Sequence, residues 1–177
     1  WCDYSDVRHF RFDTGIRRGV ADEDRHQLPI RMQVELAVAR IFTRMKQEVR
    51  TEWLWVLEDD IIPPPDVCRR LLESADHDVA TLSAPYRSRY HDGFVIWDAE
   101  RRSYRVTGQG VEPIGGSGFG CTILRKSILN AAVITHAAVT RDYDHNFFAW
   151  LRTHERGRYR SLVDWRLECR HLEADQS

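Results

Sequence analysis

Residues Trp53-Leu54-Trp55-Val56-Leu57 form an apolar run that ends in consecutive carboxylates, Glu58-Asp59-Asp60, followed by Ile61-Ile62-Pro63-Pro64. A buried strand delivering acids at its carboxyl end is how open α/β sheets build ligand sites. Side chains alternate along a strand, so Glu58 and Asp60 point to one side and Asp59 to the other. Carboxylate oxygens are hard ligands suited to Mg²⁺ or Mn²⁺, and a bound diphosphate commonly supplies the remaining coordination. The stretch therefore points to metal-dependent work on a diphosphate. Asp and Pro are also common turn formers, and an acidic turn after a core strand is an ordinary structural feature.

Three further segments carry candidate chemistry. Gly115-Gly116-Ser117-Gly118-Phe119-Gly120 precedes an apolar run. Its glycines either let backbone approach a ligand closely or make a tight turn. Asp142-Tyr143-Asp144 opens a helical stretch, where each acid is both a candidate proton acceptor and a candidate helix cap. His171 follows the last strand-like segment, where a neutral imidazole can join carboxylates at a metal, or it lies at the surface beside Arg170 and Glu173. Trp97, Trp150 and Trp165 suit stacking on sugar rings, although aromatic residues in such positions are more often core. His91, His145 and His154 make no HExxH or similar zinc spacing.

Composition narrows the alternatives. The formal net charge is -1, with 26 Lys plus Arg against 27 Asp plus Glu, which provides no overall field for nucleic acid or an acidic membrane. The basic residues are almost all Arg, with Lys46 and Lys126 the only lysines. The cysteines, Cys2, Cys68, Cys121 and Cys169, are scattered without a CxxC pair. Burial of Cys121 and Cys169 as small hydrophobes is the expectation, with a disulfide as the alternative. No apolar run approaches the ~20 residues of a membrane span, and Trp1-Cys2-Asp3-Tyr4 resembles no signal peptide, so a cytoplasmic protein is expected. At 177 residues the chain fits one domain, 1–177.

The elements that must position these residues follow from periodicity. Val7 to Phe12 reads as a short strand and Asp13 to Gln27 as a polar loop. Pro29 opens a helix whose apolar face repeats Ile30, Val34, Ala37, Val38, Ile41, Met45 and Val49. The Trp53 to Leu57 strand follows, then a helix over Asp66 to Ala75 and a strand over Val79 to Ser83. Gly93 to Asp98 and Ser103 to Thr107 read as a hairpin. Cys121 to Leu124 is a strand and Ile128 to Val133 a short helix. Asp142 to Glu155 is a helix with Phe147, Phe148 and Leu151 inward, ended by Gly157. Tyr159 to Val163 and Trp165 to Cys169 close the chain as strands. The alternation predicts an α/β domain with a mixed sheet flanked by helices.

In this order the acidic strand end, the glycine-rich segment, Asp142-Tyr143-Asp144 and His171 resemble the GT-A fold glycosyltransferases, in particular the large inverting family that uses nucleotide-diphosphate sugars. The resemblance spans roughly Val7 to Leu172 as a pattern of motifs. It implies a Rossmann-like GT-A fold and a DxD-like motif at Glu58-Asp59-Asp60. Asp60 would then bind Mn²⁺ or Mg²⁺, with Glu58 and its neighbour Asp59 on the nucleotide or ribose. The family's acidic pair ED-x-D falls on Arg141-Asp142-Tyr143-Asp144, so the resemblance implies Asp142 as catalytic base with Asp144 as its competitor. His171 matches a histidine near the metal, and Gly116, Ser117 and Gly118 fall on the donor side. Glu58 stands where Asp is usual, and Arg141 where Glu is usual. Related enzymes begin with a strand, helix and strand that bind the nucleotide base, upstream of anything in this sequence, which implies a chain lacking that portion.

The function implied is transfer of a sugar from a nucleotide-diphosphate donor to a hydroxyl-bearing acceptor, a glycan or other small molecule, with inversion. The alternative is a binding module that recognises nucleotide or glycan without turnover. A metal-dependent phosphohydrolase is a third reading, because the same acids can activate water.

Overall fold

The computed structural model describes residues 28–132 and 143–172. The expected strand at Val7 to Phe12, the loop to Gln27, the helix end at Val133 and the acid Asp142 lie outside the described residues.

Helix α1 spans Leu28–Glu48 and leads into β1, Trp53–Leu57. A two-residue strand β2, Ile61–Ile62, precedes the prolines, after which α2 covers Val67–Glu73. Proline removes backbone donors, so the chain through Pro63, Pro64 and Pro65 cannot continue a ladder. Asp66 then takes φ 61°, the left-handed region that Asp tolerates better than most residues, to enter α2. Next come β3 (Val79–Ser83), β4 (Ile96–Trp97), β5 (Val111–Pro113), β6 (Gly116–Ser117) and β7 (Cys121–Arg125). Helices α3 (Lys126–Ala131) and α4 (Tyr143–His154), strand β8 (Arg160–Asp164), a 3₁₀ turn (Trp165–Leu167) and β9 (Arg170–His171) complete the order.

The main sheet has the order β1-β7-β3-β8-β5. Strand β7 is antiparallel to both β1 and β3, whereas β3 and β8 are parallel, so β1, β3 and β8 share one direction. The mixed α/β architecture expected from the alternation is present. Every residue of β3 and β7 is buried, as interior strands covered on both faces require. At the sheet margin, β1 leaves Trp55 and Leu57 exposed. One face packs Leu124 and Ala80 against Phe42 of α1, Ile128 and Leu129 of α3, and Phe147, Phe148 and Leu151 of α4. The other packs Ile123, Leu82 and Leu162 against Val67 and Leu71 of α2. Trp97 and Trp165 are core residues. Cys121 and Cys169 are buried free thiols, as small hydrophobes would be.

Two expected elements differ. The segment Trp165 to Cys169 is not a strand: the Asp164 carboxylate accepts the Arg166 backbone N–H at 3.1 Å and its guanidinium at 2.8 and 2.9 Å, which curls the chain into the 3₁₀ turn. The hairpin forms only in part. Phe94 and Tyr104 exchange backbone bonds with their partners and Trp97 bridges Ser103, but the regular strand β4 pairs instead with β6.

Candidate functional site

The parallel strands deliver their carboxyl ends to one edge of the sheet, and the acidic segment sits there. The β1–β7 register continues one step past Leu57↔Cys121, with the Glu58 N–H donating to the Gly120 carbonyl at 2.9 Å. The chain then turns through Glu58 O···H–N Ile61 at 3.2 Å. Glu58 and Asp60 are half-buried and Asp59 is exposed; Asp59 and Asp60 lie in this turn, past the end of β1.

His171 reaches the acids through a long-range pairing. Strand β9 pairs antiparallel with β2, Ile61 opposite His171, and the Leu172 N–H donates to the Asp60 carbonyl at 2.8 Å. The preceding segment is fixed by the Cys169 N–H on the Pro85 carbonyl at 2.8 Å. His171 Nδ1 lies 2.8 Å from the Arg87 carbonyl, so Nδ1 carries the proton in that contact. Nε2 lies 3.5 Å from Asp60 Oδ2. In the neutral ring two lone pairs therefore face each other, and a proton or a metal ion between them removes the conflict. Asp60 Oδ1 is buried and has no hydrogen-bond partner among the described residues. A buried carboxylate oxygen left unpaired is costly, and a cation is the partner that its chemistry asks for.

Glu58 faces a different neighbour. The Tyr143 hydroxyl, on the first residue of α4, donates to Glu58 Oε1 at 3.2 Å. Burial first, and then the Asp60 carboxylate, push Glu58 up to about 7; the Tyr143 bond opposes the rise, while Asp144 and Asp59 add to it. Burial also holds the Tyr143 and Tyr86 phenols well above their ordinary range, with the Glu58 and Asp144 carboxylates adding to both. Glu58, Asp60 and Asp144 thus belong to one electrostatic cluster. Asp144 is partly committed to its own helix: Oδ1 accepts the His145 backbone N–H at 2.6 Å and lies 3.1 Å from His145 Nδ1.

The glycine-rich segment does something other than open a cradle. Gly116, Ser117 and Gly118 are all buried. A Cβ on Gly116 would lie 2.6 Å from the Trp97 ring and 2.7 Å from Phe148. One on Gly118 would collide with the Tyr86 hydroxyl, and one on Gly120 would lie 2.6 Å from Tyr86 Cζ. Ser117 Oγ shares a 2.7 Å hydrogen bond with Ser83 Oγ. The close approach that these glycines permit is to Tyr86 and Trp97. Tyr86 in turn takes the Gly120 N–H on its hydroxyl at 3.2 Å and meets the His171 ring edge-on at 5.5 Å.

The fold now has comparisons. No family model matches the sequence, and no curated protein matches it. A solved structure, A197 from STIV, is similar: TM-score 0.61, 15% identity, covering 80% of this chain and 69% of that one. The likeness bears on the fold, a mixed sheet between helices.

The structure therefore sets Glu58 near Asp60 and Asp144, sets His171 against Asp60, leaves Asp59 outward, and buries the glycines. Among the described residues no group of three or more His, Cys, Asp and Glu side chains is arranged to hold a metal. A cation on Asp60 and His171 would complete its shell from substrate and water. Sequence reasoning missed Arg89, whose guanidinium pairs with Asp60 Oδ2 from the loop after β3. It also missed Tyr143, although that residue stands between the two acids already singled out. No helix among the described residues is long and apolar enough to cross a membrane.

Proposed function

We propose that this chain is a metal-dependent glycosyltransferase of the GT-A type, moving a sugar from a nucleotide-diphosphate donor to a hydroxyl acceptor with inversion. The observation that carries the reading is Asp60, with one buried oxygen unpaired and the other facing His171 Nε2. The donor set of one carboxylate and one imidazole suits Mn²⁺ or Mg²⁺ with open positions for phosphate oxygens. When bound there, such an ion supplies Lewis-acid stabilisation of the departing diphosphate.

The chain's own residues have separate tasks in this reading. Asp60 and His171 hold the ion, and the Arg87 carbonyl fixes the imidazole so that Nε2 faces inward. Glu58, steadied by the Tyr143 hydroxyl, lies beside them for contact with the nucleotide or ribose. Asp142, the base implied by the resemblance, lies outside the described residues. Asp144, the second residue of α4, has an oxygen engaged by His145, which favours a helix-end and positioning role for it.

Calorimetric titration of UDP-, GDP- and dTDP-sugars with Mn²⁺, with chelator, and with Asp60→Asn tests the reading. The expected outcome is donor binding that requires Mn²⁺, disappears in the variant and is accompanied by transfer to a hydroxyl acceptor. Binding indifferent to both chelator and substitution overturns the metal assignment. Metal-dependent binding without turnover on any acceptor points instead to the nucleotide- or glycan-binding module.

A further inference from the structure

We propose that Arg89 exchanges partners when donor binds: its guanidinium holds Asp60 in the cation-free chain and is handed to the donor's diphosphate once a divalent ion takes Asp60. The inference rests on the metal reading above and deepens it by assigning a residue that none of the motifs contains.

The geometry of Asp60 is the starting point. Its Oδ2 is claimed twice, by the Arg89 guanidinium and by His171 Nε2, while Oδ1 is buried without a partner. A divalent ion held by Asp60 and His171 and a guanidinium held by the same Oδ2 are like charges at contact distance, and like charges within a few ångströms repel strongly in a half-buried site. The two occupants therefore compete.

The loop that carries Arg89 is built so that its base stays while its tip can change partner. Arg87 bridges Phe94 across the loop, and the Ser88 N–H donates to the Gly93 carbonyl at 2.9 Å. The Arg87 guanidinium lies over the Phe94 ring at 4.6 Å and 3.7 Å from Glu168. Its carbonyl is the acceptor that orients His171. Beyond this anchor the tip is solvent-facing, with Tyr90 65% exposed. Rotation of the Arg89 side chain disturbs none of the anchoring bonds.

Its destination follows from chemistry. A guanidinium fork matches phosphate oxygens bidentately, and the diphosphate must lie against the ion that displaces Arg89. Arg89 thus opposes binding of the ion alone and supports binding of ion and diphosphate together, which links the two events. A residue present only to neutralise Asp60 would show the first effect without the second.

The test measures Mn²⁺ alone by water-proton relaxation, and inorganic pyrophosphate at saturating Mg²⁺ by calorimetry, on wild type, Arg89→Ala, Arg89→Lys and Asp60→Asn. The expected result for Arg89→Ala is opposite signs: Mn²⁺ binding tighter by about threefold or more, and pyrophosphate binding weaker by about tenfold, the loss of one charge-assisted contact. Arg89→Lys restores the competition with Mn²⁺ and only part of the pyrophosphate affinity. Unchanged Mn²⁺ affinity in Arg89→Ala, or a parallel fall in both affinities, overturns the exchange while leaving the metal reading intact. Wild type that binds no Mn²⁺, or binds it as well after Asp60→Asn, overturns the metal reading and the exchange with it.

Discussion

The two ends of β1 each place a charge against the sheet, and they treat it oppositely. At the amino end, paired across Trp53↔Arg125, Arg125 is 9% exposed and its bonding is extensive. Its guanidinium donates to the Val79 carbonyl at 2.7 Å, the Asp76 carbonyl at 2.6 Å and the Glu52 carboxylate, and it lies 4.3 Å over the Trp53 ring. At the carboxyl end, Asp60 keeps a buried oxygen with no partner, and Glu58 is pushed up to about 7 by burial and its acidic neighbours. A buried charge bonded at each of its nitrogens holds the fold together. One with bonds missing costs stability and is available for binding.

The largest effect separating the ends is on folding. Arg125→Met leaves the buried Val79 carbonyl without its guanidinium donor and removes a cation from an indole face, so the expected loss is about 2–3 kcal/mol in chemical denaturation. Retention of stability within about 1 kcal/mol would mean that Arg125 is no better satisfied in the fold than in water, and the contrast would collapse.

Asp60→Asn should behave in the reverse sense. Its expected signature is Mn²⁺ affinity down by about a hundredfold, since removing even a supporting partner of a ligand costs 10–100-fold. Unfolding free energy should move by less than about 1 kcal/mol, because the lost carboxylate was crowded by like charge. A fall in stability equal to that of Arg125→Met would place Asp60 with the structural charges.

A third carboxylate sharpens the comparison. Asp164 is fully buried like Asp60's orphan oxygen, yet its oxygens accept the Arg166 N–H and guanidinium. Burial works to raise its pKa, but the Arg166 side chain and N–H outweigh it and hold the carboxyl below the usual range. The folded pKa is depressed, so this stability is present above the unfolded value near 3.9 and is lost as pH falls through the folded one. Asp164→Asn should cost about 1.5 kcal/mol at pH 7, with the gap to wild type closing as pH falls through the depressed folded value in acid titrations of stability. A gap that stays constant with pH would show that the carboxylate charge is not what Arg166 rewards.

How much of this was legible follows residue by residue. Alternation along a strand predicted Glu58 and Asp60 on one side, and both are half-buried, but it is the turn after Leu57 that places Asp60; β1, β3 and β7 stood out as apolar runs of strand length. The place of His171 depends on a two-residue pairing, β2 with β9, between segments far apart in sequence; periodicity carries no information about such a pairing. The turn at Trp165 was hidden because Asp164 bends the chain with its side chain, and an apolar run alone reads as strand. The glycines were visible as places of close approach, but not that Tyr86 is what approaches. Arg89 had no local signal at all, since an arginine in a polar loop gains meaning only from what the fold puts opposite it.

The smallest expected effect tests whether the amino end of β1 depends on its ion pair or on its carbonyls. Glu52 is 65% exposed on its side chain and is one of four groups around the Arg125 guanidinium. Glu52→Gln keeps an oxygen acceptor and the backbone carbonyl that takes the Lys126 N–H at 2.8 Å, and removes only a solvent-screened charge. The expected cost is under about 0.5 kcal/mol, as for other exposed pairs. The buried Val79 carbonyl has no solvent to replace the guanidinium, whereas an exposed carboxylate does, so the Glu52 and Arg125 variants should differ severalfold. Equal losses in the two would mean that the charge pair, and not the bond to the buried Val79 carbonyl, holds this end of the sheet.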